Sequence, residues 1–242
     1  MNNIYIRQLL AGRDFAKDHS VAYKMKNFSY FIGDFKKKVC FVIDPAWNVN
    51  ELINIAKNDG IKITGILATH YHQDHIGGDF YGFNIEGINK LLKINPCHIH
   101  AHKFDSAKIA KTANINKNII INHETGDQIK IGNITIDVIH TPGHTPGSCC
   151  FKTDTALFSG DTLFIQGCGR TDLPGGNIDD MYYSLNNILK NLSKELILYP
   201  GHSYGGEKEK LSKVKKINSI LKIDNLKTWY KYHGINNFKK II

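Results

Sequence analysis

Apolar and polar positions alternate over residues 1–10, and 28–33 and 39–43 are short apolar and aromatic runs, which together predict three strands. A charged turn at 34–38 joins the second to the third, and Asp44-Pro45 ends it. Residues 11–26 keep neither period and are expected to be irregular. Residues 51–57 carry helical spacing, with Asn48 or Asn50 as the cap and Gly60 as the stop. The apolar run at 61–68 predicts a buried strand. Strand, strand, helix, strand suggests a helix packed on a mixed sheet.

Beyond Gly77-Gly78 a polar and aromatic stretch reads as a loop, followed by a helix at 86–94, a short strand at 97–102 and a helix at 105–111. Residues 127–131 and 134–139 alternate around Gly132-Asn133, a hairpin signal. Strands are predicted at 149–152, 156–159 and 195–199, with an amphipathic helix at 178–192. A basic helix at 207–221 and a Lys-rich aromatic tail complete the chain. The two halves read as two similar sheet-and-helix layers.

Composition narrows the class without changing this picture. The 242 residues, 42% hydrophobic, suit one large domain with a substantial core. No apolar run is long enough for a membrane span, and the first residues lack the pattern of a signal peptide. Five scattered cysteines with no C-x-x-C pair fit free thiols in a reducing compartment, so a cytoplasmic location is expected. The net charge is +9, but the lysines are dispersed and form no Arg-rich arm, so nucleic-acid binding is not expected. A positive surface instead favours small anionic substrates.

Candidate chemistry concentrates at Thr69-His70-Tyr71-His72-Gln73-Asp74-His75, at the end of the 61–68 strand. In an extended backbone His70 and His72 point to the same side. Asp74 and His75 fall where the chain turns, so one stretch can serve two adjacent metal positions. Three further groups stand at or just past strand ends, before or within Gly-containing turns. They are His144, in a loop stiffened by Pro142-Gly143 and Pro146-Gly147, then Asp161 and His202. Strand carboxyl ends are where α/β architectures bind ligands. Five His and two Asp suit zinc, iron or manganese better than calcium or magnesium. His98, His100 and His102 alternate on the 97–102 strand and form a rival cluster. They are expected to make a His-rich solvent face, because no carboxylate or turn closes a shell around them.

The ordered set His70-x-His72-x-Asp74-His75, His144, Asp161 and His202 resembles the full ligand set of the metallo-β-lactamase superfamily, over residues 28–205. The resemblance implies an α/β fold, a four-layer αββα sandwich of two mixed sheets flanked by helices. It would form a single domain over 1–242, with 206–242 as a basic helical extension. It also implies a first metal site of His70, His72, His144 and Asp161, and a second of Asp74, His75, His202 and the bridging Asp161. Two divalent ions are expected, zinc foremost, with iron or manganese as alternatives. Such ions, about 3.5–4 Å apart, share a hydroxide and stabilise the oxyanion formed on attack. Asp74 and Asp161 are the candidate catalytic carboxylates, Asp74 being expected to act first as a ligand.

Gly160-Asp161-Thr162-Leu163-Phe164 and Gly167-Cys168-Gly169 are similar to both the glyoxalase II-like thioester hydrolases and the persulfide dioxygenases. Arg170-Thr171-Asp172, the 141–147 loop and Tyr199-Pro200-Gly201-His202 lean toward the dioxygenases and their short bacterial hydrolase relatives. The function implied is hydrolysis of a hydroxyacylglutathione-like thioester by a metal-bound hydroxide, on a small anionic thiol-derived substrate. The alternative is a persulfide dioxygenase with one Fe(II), oxidising glutathione persulfide. Lactonase and nucleic-acid-binding readings rank below these. No counterpart is expected of the long C-terminal helical domain with which typical glyoxalase II enzymes grip glutathione. Arg170 is a candidate carboxylate clamp or a partner of Asp172, and Tyr204 a candidate pocket wall. Cys168 is expected as a small residue in a tight turn. The basic tail is left three roles: a cap over the site, a homodimer contact, or cover for a sheet edge.

Overall fold

Two six-stranded sheets face each other, and helices cover both outer faces. The computed structural model describes residues 3–235. Residues 1–2 of the expected opening strand and 236–242 of the expected extension lie outside the described residues. The first-half strands are β1 (Ile4–Leu10), β2 (Phe28–Asp34), β3 (Val39–Ile43), β4 (Lys62–Leu67), β5 (Gly78–Phe80), β6 (Phe83–Ile85), β7 (His98–His102) and β8 (Ile120–His123). The second half adds β9 (Gln128–Ile131), β10 (Ile134–His140), β11 (Cys149–Lys152), β12 (Ala156–Gly160), β13 (Ile197–Pro200) and β14 (Glu209–Lys210). The helices are α1 (Ser20–Met25), α2 (Val49–Asn58), α3 (Gln73–Ile76), α4 (Ile88–Ile94), α5 (Lys103–Thr112), α6 (Ile178–Tyr183), α7 (Leu211–Ile217) and α8 (Leu226–Tyr232). No described helix is long and apolar enough to cross a membrane.

The sheet orders are β1-β2-β3-β4-β7-β8 and β14-β13-β12-β11-β10-β9, and both mix parallel and antiparallel pairs. Alternation along each strand sorts side chains between layers. Tyr30 and Ile32 of β2 join Phe158 and Val138 between the sheets, whereas Phe31 faces out toward Leu52 of α2 and Ile109 of α5. On the other side Leu157 and Leu198 meet Met181, Leu211 and Trp229. These three apolar layers make the αββα sandwich that the sequence led us to expect.

Several elements differ from the sequence expectation. Residues 11–26 include α1, capped by His19, whose Nδ1 accepts from the Ala22 N–H (3.3 Å). Only Ala22 of that helix is fully buried, so no apolar period announces it. The stretch after Gly77 is not a loop but the β5–β6 hairpin. The 178–192 helix begins as α6, widens into a π-type turn over Ser184–Ile188 and tightens over Leu189–Asn191. Where a basic helix over 207–221 is expected, β14 pairs at the edge of the second sheet and α7 follows it, and α7 and α8 pack on that sheet's outer face. Trp229 of α8 is fully buried there, and its Nε1 donates to the Ile178 carbonyl (2.9 Å).

One rim matters most for function. The carboxyl ends of β4, β10, β12 and β13 open onto it, and there the two sheets are stitched together through backbone. Phe28 N donates to Gly201 O (2.8 Å) and Ser203 N to Lys26 O (3.0 Å).

Candidate metal centre

All seven expected ligands converge on this rim. His70 and His72 follow β4, and Asp74 and His75 lie on the single turn of α3. His144 sits in the loop after β10, while Asp161 and His202 follow β12 and β13. His72 is half-buried and the other six are buried. Ligand-capable atoms of His70, His72 and His144 lie within 4.8 Å of one another, as do those of Asp74, His75 and His202. Asp161 touches both trios: Oδ2 is 3.5 Å from His144 Nε2 and 3.3 Å from His202 Nε2, and Oδ1 is 3.3 Å from His75 Nε2. A third grouping of Asp44, His70 and His75 is as compact. Asp44 Oδ2, however, contacts Nδ1 of His75 (3.1 Å), the nitrogen turned away from the other ligands, so Asp44 acts as an outer partner.

The outer partners fix which ring nitrogen faces inward. His144 Nδ1 donates to Arg170 O (2.8 Å), and His202 Nδ1 to Met25 O (2.7 Å). His70 Nδ1 meets Thr69 Oγ1 (3.0 Å), which donates to Asp44 Oδ2 (2.6 Å). Each Nε2 is thereby turned toward the centre, the arrangement metal-ligating histidines use. Among the described residues, His70 Nε2, His144 Nε2 and Asp161 Oδ1 are buried with no hydrogen-bond partner. Buried polar atoms rarely stay unpaired, and cations bound at this centre would satisfy all three. The residues fit divalent metal ions.

Glycines make room for this geometry. Gly160 has φ 48°, and a Cβ there would lie 2.6 Å from Thr69 Oγ1. A Cβ on Gly201 would lie 2.2 Å from Asp161 Oδ1. Asp44 itself occupies the left-handed region (φ 49°), costly for a residue with a Cβ.

Electrostatics separates the trios. Burial, with the neighbouring His75 and His72 rings, holds His70 well below its ordinary pKa. Burial and His144 bring His72 down to about 4. Burial would lower His75 as well, but Asp161 and Asp74 outweigh it and lift the ring to about 9. His202 is likewise lifted, against its burial, chiefly by Asp161. Burial alone would raise Asp74 and Asp161, yet His75 and His202 hold both far below the usual carboxylate range.

A cavity of about 680 Å³ opens over the centre. Tyr204 lines it, stacked on His202 (centroids 4.8 Å apart, 3° between planes) and edge-on to Phe164. Arg170 lines it too, but its guanidinium is exposed and paired with Asp172 through two 2.7 Å bonds. Cys168 is a half-buried wall residue, its thiol pushed up to about 12 by burial. His98, His100 and His102 are not brought into the centre, nor do they share a solvent face. His98 is exposed, His100 bonds His123 (2.9 Å), and buried His102 stacks on His140 (3.8 Å) across the sheets.

Sequence reasoning missed Asp44, read only as a strand end, as well as Thr69, Asn27 and Asp105. Asp105 Oδ2 accepts from Thr145 Oγ1 (2.6 Å) and its Oδ1 from Gly147 N (2.7 Å), pinning the loop that carries His144. A polar residue directly before a wholly buried strand, as Asn27 is before β2, was the available signal.

The chain matches the sequence model of a family described as the metallo-beta-lactamase superfamily over residues 24–202. A probable polyketide biosynthesis zinc-dependent hydrolase of Bacillus velezensis is 29% identical, over 88% of this chain and 89% of its own length. A hydroxyacylglutathione hydrolase of Rhodopseudomonas palustris is 37% identical, over 74% of this chain and 63% of its own length. The crystal structure of ETHE1 from Myxococcus xanthus has a TM-score of 0.76 at 24% identity, covering 96% of this chain and 92% of that one. At that identity the likeness speaks for the fold.

Proposed function

This chain belongs to the metallo-beta-lactamase superfamily and is a metal-dependent hydrolase, and we propose that its substrate is a small anionic thioester of the hydroxyacylglutathione type. The observation that carries this reading is the complete centre, two ligand trios with Asp161 in contact with both. The Rhodopseudomonas relative's name supports the thioester, and the +9 charge supports an anionic substrate. His70, His72, His144 and Asp161 would hold one ion, and Asp74, His75, His202 and Asp161 the other. Zinc is the proposed metal: the first trio is all imidazole, and the Bacillus relative is named zinc-dependent. Divalent ions bound there supply Lewis acidity and a nucleophilic water at neutral pH.

The chain's own groups do the rest. Asp161 and Asp74 keep their negative charge against burial and so balance the cations. Thr69, Asp44, Arg170 O and Met25 O hold the rings in their inward-facing tautomer. Tyr204 and Phe164 give the cavity an aromatic wall beside His202. Arg170 is available to an anionic end of the substrate only by exchanging Asp172 for it. The five cysteines are unpaired, which supports work in a reducing compartment such as the cytoplasm.

The test pairs metal analysis of protein made without added metal with hydrolysis of a 2-hydroxyacyl-glutathione thioester. Bound zinc and thioester turnover are expected. Protein that binds no metal sinks the reading. Iron-loaded protein that leaves the thioester intact but takes up oxygen with glutathione persulfide replaces it with the dioxygenase alternative.

A further inference from the structure

Asn27 stands against the second trio. It is 2% exposed. Its Nδ2 lies 2.9 Å from Asp74 Oδ2, 3.2 Å from His75 Nε2 and 3.4 Å from His202 Nε2. One carboxamide thus reaches the three atoms that face the second metal position. Among the described residues it makes no hydrogen bond to His70, His72 or His144.

The orientation of this carboxamide is set by chemistry. Trp47 Nε1 is 3.2 Å from Asn27 Oδ1, and an indole N–H can only donate. The oxygen therefore faces Trp47, and the NH2 faces the trio. Trp47 is fixed in turn. It is buried, its backbone has φ 77°, its N–H donates to Glu86 O (2.9 Å), and its ring meets His19 edge-on at 5.1 Å. The chain at Asn27 is equally constrained. Lys26 before it is left-handed (φ 57°), and Asn27 pairs with His202 through backbone.

We propose that Asn27, oriented by Trp47, is a positioning residue for the second metal ion. It holds Asp74, His75 and His202 at ligating separations and has no hold on the first trio. The inference rests on reading the centre as two metal sites. A ligand atom held in place before the ion arrives costs no ordering when it binds. The amide does this for three groups at once: it donates to the Asp74 carboxylate and fills the space beside both imidazoles. Partners of this kind change metal affinity by about 10- to 100-fold.

Zinc titration against a competing chelator, in two backgrounds, tests this. His72→Ala breaks the first trio and leaves the second; Asp74→Ala does the reverse. Asn27→Ala is expected to raise the zinc Kd about 10- to 100-fold in the His72→Ala background and to leave it unchanged in the Asp74→Ala background. Trp47→Phe, which keeps the carboxamide but frees it to turn, is expected to raise the Kd by a smaller factor in the His72→Ala background only. It keeps the proposal open to refutation if Asn27→Ala fails to fold. An equal rise in both backgrounds, or none with the second trio, overturns the proposal. Wild-type protein that binds no zinc overturns the reading of the centre as well, whereas wild type that binds two ions confines any failure to Asn27.

Discussion

In the first trio burial and neighbouring rings hold His70 and His72 below their ordinary pKa, so both are neutral near pH 7. In the second trio Asp161 and Asp74 overcome burial and lift His75 to about 9 and His202 well above its usual value. Imidazole is common to both trios, but the shifts of these rings run in opposite directions. What differs is where the carboxylates lie: Asp74 and Asp161 touch both second-trio rings, and Asp44 adds an outer contact to His75. A cation entering the second trio must displace the protons that these carboxylates favour on its rings. The two trios are thus differently prepared and share one carboxylate.

Removing that bridge should erase the contrast. Asp161→Ala is expected to lower metal content in both halves and to cut hydrolysis by more than about 100-fold, beyond the range of outer partners. Metal analysis and kcat/KM read this, and near-normal values for both would count against a shared ligand. Gly201→Ala displaces the bridge without deleting it, because the new Cβ would press on Asp161 Oδ1. An ångström-scale misplacement predicts a loss of about 100-fold in kcat/KM, in a protein whose circular dichroism is unchanged.

Asp44→Asn should sharpen the contrast. The Asp44 carboxylate accepts from Thr69 N (2.8 Å) and Thr69 Oγ1 (2.6 Å) and contacts His75 Nδ1, but it reaches the first trio only through Thr69. We expect an affinity loss of about 10- to 100-fold at the second site and a smaller one at the first. Chelator competition in the single-site backgrounds separates the two.

The last effect is on stability and not on metal binding, and it concerns the loop behind the first trio. Burial holds Asp105 up at about 6, against the lowering bonds from Thr145 and Gly147. Its charged form is therefore disfavoured in the fold. Its contribution falls as pH rises from about 4 through 6 and is flat beyond, a change of about 3 kcal/mol. Urea unfolding of wild type and Asp105→Asn from pH 4 to 7 should show wild type losing that much relative to the variant. A pH-independent difference would remove Asp105 as a titrating pin.

The inner ligands were legible because each is announced locally. His70 to His75 form one dense cluster, and His144, Asp161 and His202 each stand at or just past a strand end beside glycine. Their partners were not legible, because nothing near them in sequence says what they touch. Asn27 meets Asp74 and His202, and Asp44 meets His75, only when two sheets close on each other. The sandwich was legible through the resemblance that the ligand motifs carry, and periodicity supplied most of its strands, but α1 and the β5–β6 hairpin were not. The helix buries too little to carry a period, and the hairpin strands are only three residues each.

The backbone stitch at the rim joins Lys26 to Phe28 with Gly201 to Ser203. It has a kinetic side. Asn27 and His202 are 175 positions apart, and contacts between such distant segments are the slow ones to form. The second half of the centre can close only once the turn after β13 has docked against the first sheet. A nascent chain still short of His202 can complete the first trio but not the second, so the two halves of the centre become available in the order of synthesis.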